Sequence, residues 1–340
     1  MDHPPPAPPP APSRRALPLV LLLASAGAAA AGDGPPAPYA ASRPLPAPAR
    51  FLEGVVSTGV DDAHAAFSPD GRELYFIRNT PDFAHWTVLM MKFANGRWSQ
   101  PEVAPFSGRW NDADVTVTRD GKRMFLISNR PLSGEGPPRP DTDLWTMERE
   151  KSGEWGKPRH LVELTSPTDE WFPTVTDDGT LYFGSERPGG KGKSDLWRAK
   201  WLGDKFGPPE NLGDPLNTPE QEIEPYISPD ERFLIFSAVK LERKAAYDLF
   251  VTFRCDGRWT PPRPLGAGVN SERWEFGARI SPDGRYLFFT SNRSEFDPAP
   301  AKPRTVADLT RALSSPGNGL RDVYQVDLQA LDLRSPCEPR

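Results

Sequence analysis

Along residues 51–330 the chain alternates short apolar runs with tight polar turns, and the alternation repeats five times. The turns are Ser68-Pro69-Asp70-Gly71, Thr118-Arg119-Asp120-Gly121, Thr176-Asp177-Asp178-Gly179, Ser228-Pro229-Asp230-Glu231 and Ser281-Pro282-Asp283-Gly284. Their aspartates stand 50, 58, 52 and 53 residues apart. Each turn leads into an apolar run such as Leu74-Tyr75-Phe76-Ile77, Met124-Phe125-Leu126-Ile127 or Tyr286-Leu287-Phe288-Phe289. Aromatic and β-branched residues beside such a turn predict a hairpin. A third run follows after a variable loop, as in Asp143-Leu144-Trp145, Asp195-Leu196-Trp197, Asp248-Leu249-Phe250 and Asp322-Val323-Tyr324. A fourth begins near Trp98, Trp155, Phe206 and Trp259.

Four short antiparallel strands in a repeat of about 52 residues predict a propeller blade. The expected fold is therefore all-β: a single β-propeller of five four-stranded blades, with six the alternative if a degenerate copy is hidden. The fifth copy ends before its fourth strand, while Phe51-Leu52-Glu53-Gly54-Val55-Val56 precedes the first copy as a fourth strand would. An N-terminal strand that completes the last blade closes the ring and removes its open edges.

The repeats resemble the WD-like repeats of TolB-type propellers, in which a Ser-Pro-Asp-Gly hairpin is followed by Ser-x-Arg and Asp-Leu-Trp. The third and fifth copies match through Ser185-Glu186-Arg187 and Ser291-Asn292-Arg293. The first lacks the aspartate of the third run, and the fourth has Lys240 at the arginine position. The resemblance covers residues 51–330. It implies a recognition or scaffold propeller of the bacterial envelope and names no ligand.

Ahead of the repeats the composition changes. Ser13-Arg14-Arg15 precedes an apolar run over residues 16–31, which predicts a secretory signal peptide over residues 1–31, with an uncleaved anchor as the alternative. The pair of arginines also resembles a twin-arginine signal, leaving the export route open. Residues 32–50 are rich in Pro and Ala and read as a linker, and residues 331–340 as a C-terminal tail. Location in the periplasm or outside the cell follows, with membrane contact only through an uncleaved signal. Without residues 1–31 the formal charge of −5 becomes −6, since one acid and two arginines are lost. That sign argues against nucleic acid as a partner. Only Cys255 and Cys337 are present, so no cysteine framework is expected; either the two pair or they stay separate thiols.

In such a blade the hairpin turns lie at one end and the long second-to-third loops at the other. The loop-rich end carries residues 130–142, 187–194, 239–247 and 294–321, the last with an expected short helix at residues 306–313. Eight positions before each turn aspartate stands an acid: Asp62, Asp112, Glu170, Glu222 and Glu275. Inner strands line the channel of a propeller, so these five are expected at its mouth, beside Trp110, Trp171 and Trp274. Asp114 and Glu224 lie two residues further on, with His64 at the same position in the first copy. Either a polar ligand funnel or a set of in-blade ion pairs explains the acids. Trp145, Trp155, Trp197 and Trp259 recur with the repeat and are read as core.

No Gly-x-Ser-x-Gly elbow, His-Glu-x-x-His motif or phosphate loop occurs, and the four histidines are scattered. No catalytic residue, metal site or cofactor is therefore assigned. The expected activity is non-catalytic binding of a protein or peptide at the loop-rich end, by a monomer. The alternative is a glycan-binding or glycan-cleaving propeller, with Asp112, Glu170 and Glu222 as carboxylate candidates. Converging oxygens would also suit a divalent cation such as Ca²⁺.

Overall fold

Alternate residues of each second strand are buried on opposite faces, and this is what a blade needs. Leu74 and Phe76 enter the core shared with the fifth blade, while Tyr75 and Ile77 enter the core shared with the second. In the fifth blade Tyr286 and Phe288 face the first, and Leu287 and Phe289 face the fourth. A sheet covered on both faces carries a continuous apolar run rather than an apolar-polar alternation, as a doubly covered strand should. The computed structural model describes residues 37–239, 246–266, 268–296 and 302–337.

Within these residues the sheets are five antiparallel blades. Their inner strands are Asp61–Phe67, Asp112–Val117, Glu170–Val175, Glu222–Ile227 and Glu275–Ile280. Each inner strand packs on the next, and the fifth packs on the first, so the ring is closed with five blades and not six. The second strands are Glu73–Asn79, Arg123–Ser128, Leu181–Ser185, Phe233–Val239 and Tyr286–Ser291. The third are Trp86–Ala94, Asp143–Glu148, Asp195–Ala199, Tyr247–Cys255 and Asp322–Asp327. Outermost strands are only two residues long, and in the first and fourth blades they come in two pieces, Arg97–Trp98 with Glu102–Val103 and Arg258–Trp259 with Arg263–Pro264.

The N-terminal strand does complete the fifth blade, but earlier than the sequence pattern suggests. It is Ala49–Arg50, paired in register with Gln325 and Tyr324. Phe51 donates one more hydrogen bond to Val323 O, at 2.8 Å, and then buries its ring beside Phe288. Residues 37–50, read above as linker, are folded onto the propeller. Tyr39 is buried with its ring 4.7 Å from Phe67 and edge-on to Phe288. Gln325 Nε2 donates to Tyr39 O at 2.9 Å, and Trp98 Nε1 to Pro38 O. The C-terminal segment is also held, through a disulfide between Cys255 and Cys337 that joins it to the third strand of the fourth blade.

Each hairpin turn is locked by its aspartate. Ser68 Oγ donates to Asp70 Oδ1 at 2.6 Å, and the Arg72 amide to the same oxygen at 3.0 Å. Thr118 with Asp120 and Ser281 with Asp283 repeat the arrangement. Gly71 sits at a φ of +69°, which glycine adopts without strain; in the fourth blade Glu231 takes the corresponding place at +55°.

In the segment over residues 294–321, helix α1 (Val306–Leu313) forms as expected. Thr305 caps it by accepting from the Asp308 amide. No residue of α1 is buried.

Candidate functional site

The inner strands carry three layers of side chains, counted back from the turn aspartates. The first layer is the acidic set Asp62, Asp112, Glu170, Glu222 and Glu275, each no more than 2% exposed. Their ion pairs run within their own blades, and Glu170 also meets Asp143 of the second blade. Asp62 meets Arg78 at 2.7 Å, Glu170 meets Arg187 at 3.0 Å, Glu275 meets Arg293 at 3.2 Å, and Asp112 pairs with Arg130. Ser166 hydroxyl donates to Glu170 at 2.6 Å, and Thr218 amide donates to Glu222 at 2.9 Å. The carboxylates thus tie the incoming blade-to-blade link to the start of the first strand and the end of the second. Lys240, the fourth copy's counterpart of these arginines, lies outside the described residues, as do residues 1–36 with the expected signal peptide. Burial pushes Glu170 and Glu222 up to about 7, further than the hydroxyls of Ser166 and Thr218 pull them down.

The second layer is His64, Asp114, Phe172, Glu224 and Gly277, and here side chains do meet across blades. Every one of the five has a positive φ, from +46° to +65°, and each sits at a break in register between the first two strands. Such a bulge puts two residues opposite one and re-aims a side chain. His64 Nδ1 lies 2.6 Å from Asp114 Oδ1, and His64 Nε2 lies 3.5 Å from Glu224 Oε1. Phe172 amide donates to Asp114 Oδ2 at 2.9 Å, and Gly277 amide to Glu224 Oε2 at 2.6 Å. The imidazole stands edge-on to Phe172 and Phe276. A Cβ on Gly277 would fall 2.5 Å from His64 Cδ2, so glycine makes room for the ring. Burial lowers the His64 pKa, but Glu224 and Asp114 outweigh it and leave the imidazole holding its proton above the ordinary range. Burial also pushes Glu224 up to about 7. No group of three or more His, Cys, Asp or Glu side chains among the described residues is arranged to hold a metal ion.

The third layer is Ala66, Thr116, Thr174, Tyr226 and Arg279, which borders a cavity of about 1460 Å³ at the turn end. The sequence pattern places only the hairpin turns at this end. The available signal was Arg279, a lone cation on an inner strand whose counterparts are uncharged.

At the loop-rich end the tryptophans differ. Trp274 is exposed, its ring edge-on to Tyr247, and its amide donates to Asn292 at 2.9 Å. Trp110 is half-buried under the guanidinium groups of Arg109 and Arg130, 4.6 and 5.5 Å from its ring. Trp171 is half-buried against Gly184, with its indole nitrogen unpaired among the described residues. Trp145 and Trp197 are buried, and Trp155 and Trp259 pack against the cores. Three of the five third strands open on aspartates, Asp143, Asp195 and Asp322, which organise the loops. Asp195 accepts from the Lys191 and Gly192 amides, and Asp322 from the Gly317 amide.

No protein-family model matches the chain, and no curated protein does. Solved structures of similar fold include TolB from Acinetobacter baumannii, 13% identical with a TM-score of 0.45. The alignment takes in 78% of this chain and 54% of that one, so the chain spans about half the length of that TolB. A putative TolB from Agrobacterium tumefaciens is 16% identical, over 79% of this chain and 91% of that, with a TM-score of 0.45. A thermostable family-43 glycoside hydrolase is 14% identical, over 85% and 97%, with a TM-score of 0.49. At such identities each likeness concerns the fold alone. Among the described residues no helix is long and apolar enough to cross a membrane.

Proposed function

We propose that the chain is a non-catalytic docking propeller of the bacterial envelope, which binds a partner protein through its loop-rich end. The observation behind this reading is where apolar surface is left uncovered. Ten large apolar side chains are exposed among the described residues, and eight belong to segments of the loop-rich end. The two exceptions are Val103 on an outer strand and Leu202 at the turn end. Exposed apolar side chains gathered on one face mark an interaction surface, whereas scattered ones need no explanation.

Three of these eight side chains lie on α1. Val306, Leu309 and Leu313 are 82%, 42% and 53% exposed and fall at helical spacing along one stripe. The helix is seated rather than loose. Asn318 Nδ2 donates to Leu313 O at 2.9 Å and to Gly59 O at 3.1 Å, and Gly59 leaves no room for a Cβ against Ser314 O. Val60, next to Gly59 on the way into the first blade, is exposed as well. Trp274 and Trp110 would add rigid aromatic contacts, the residue types that dominate binding energy at interfaces. In this account Asp62, Asp112, Glu170, Glu222 and Glu275 hold the loops beneath the docking face rather than touching the partner, and Trp171 steadies the third blade against Gly184.

Export is part of the proposal. Residues 1–31 have the order of a signal peptide, and the Cys255–Cys337 disulfide suits an oxidising compartment. The test is affinity capture from envelope extract, followed by a binding isotherm with the purified partner. Val306→Ser, Leu309→Ser and Leu313→Ser together should weaken binding by about tenfold or more without lowering the thermal midpoint, as loss of a central apolar contact does. Equal affinity for that variant would end this reading.

A further inference from the structure

The cavity at the turn end lies opposite the proposed docking face. Turn residues from all five blades border it, among them Pro69, Asp120, Asp178, Asp230 and Asp283. These aspartates spend their carboxylates within their own turns, as Asp178 does with Thr176 Oγ1 and the Thr180 amide. The group that stands apart is Arg279. It is 7% exposed, yet it makes no ion pair among the described residues. Its guanidinium lies 3.8 Å over the face of Phe172, and Nη2 reaches the carbonyl oxygens of Val115 and Pro173 only at 3.3 and 3.5 Å.

A buried cation is ordinarily paired and fully hydrogen-bonded, because stripping water from it is otherwise costly. The nearest acids do not do this. Asp114 and Glu224 act on Arg279 through space, but Asp114 is held by His64 and the Phe172 amide, and Glu224 by the Gly277 amide with His64 Nε2 at 3.5 Å. Asp114 and Glu224 also raise the His64 pKa, so the two carboxylates face a second cation besides Arg279. Burial without a contacting carboxylate accordingly lowers the Arg279 pKa to about 10.

We propose that this cavity is a second binding site, which takes an organic carboxylate with its acid group on Arg279 and its apolar body against Val117, Val175, Phe233 and Trp201. One guanidinium offers one positive charge, which a carboxylate matches; a phosphate dianion would need a second cation at the floor. At the rim the cations already face acids, Arg119 with Asp177 at 3.1 Å, Arg123 with Glu148 at 3.6 Å, Arg149 with Glu73 at 2.5 Å and Lys122 with Asp120 at 4.0 Å. The walls named are apolar or aromatic, and the volume exceeds what a drug-sized ligand needs, roughly 300–1,000 Å³. The site is independent of α1, so either proposal can fail without the other.

The experiment is calorimetric titration of the full chain with 3-phenylpropionate, 3-phenylpropionamide and inorganic phosphate. The carboxylate should bind, and the uncharged amide should bind more weakly by about tenfold or more, the range of a charge-assisted contact. Arg279→Lys should keep most of the affinity and Arg279→Gln should lose about tenfold, with each variant's thermal midpoint recorded alongside. Equal binding of amide and carboxylate, stronger binding of phosphate, or no binding of 3-phenylpropionate at all would overturn the proposal. If Arg279→Gln does not fold, the comparison of carboxylate with amide on the unaltered chain decides it.

Discussion

His64 Nδ1 lies 2.6 Å from Asp114 Oδ1, joining the first blade to the second on the propeller axis. The pair exists because both residues sit at positive φ in equivalent bulges, and because the fifth blade answers with a glycine. Gly277→Ala would place a Cβ 2.5 Å from His64 Cδ2 at a φ of +65°. It should destabilise the fold by about 1–3 kcal/mol through overpacking and strain, read by denaturant unfolding. A variant as stable as the parent would mean that the imidazole is not held where described.

Stability should fall as pH rises from about 5 to 8. Burial raises the pKa values of Glu170, Glu222, Glu224 and Asp322 to about 7, and His64 is raised by its two carboxylate neighbours. The folded chain therefore holds protons that the unfolded chain has released, so this stability is complete at low pH and is lost as pH climbs through the folded values. Turn aspartates such as Asp120, lowered by the Thr118 hydroxyl, act oppositely but only in stronger acid. Thermal midpoints measured across that window should decline, and Glu222→Gln should flatten the slope. A midpoint that rises with pH would contradict the burial of these acids.

Removing the disulfide should cost about 2–5 kcal/mol, the usual range for a native crosslink. The bond closes a loop of 82 residues and ties the C-terminal segment to the fourth blade. Cys255→Ser with Cys337→Ser, or the reduced protein, should unfold at lower denaturant with native blade structure retained by circular dichroism beforehand. Unchanged unfolding would place the two cysteines apart.

Tyr39 marks a part of the fold that the sequence pattern concealed. The five turns, the apolar runs and the short helix could all be read directly, because each rests on local chemistry. The segment 37–50 could not, since its Pro and Ala content matches a linker and only packing of Tyr39 on Phe67 and Phe288 reveals its place. The closing strand falls at Ala49–Arg50 because Phe51 is needed as a core residue. The acidic set was legible as a repeat, but its pairing was not, as counting residues cannot show which way a carboxylate turns. The meeting of His64, Asp114 and Glu224 depends on bulges, and a bulge leaves no mark in an apolar pattern. Tyr39→Ala should cost about 3–5 kcal/mol, as loss of a buried aromatic does, measured by denaturant unfolding. A cost under about 1 kcal/mol would return residues 37–50 to the status of a linker.

The most direct test of the docking account compares the two ends of one molecule. A photo-activated benzophenone side chain placed at Leu309 or Trp274 samples the loop-rich face, and one placed at Leu202 samples the turn end. Irradiation in intact cells should give a discrete crosslinked polypeptide from the first two positions and none from the third, with the band from Trp274 lost when Val306 and Leu313 are both replaced by Ser. Crosslinks arising only from Leu202 would contradict the account and move the partner to the opposite face.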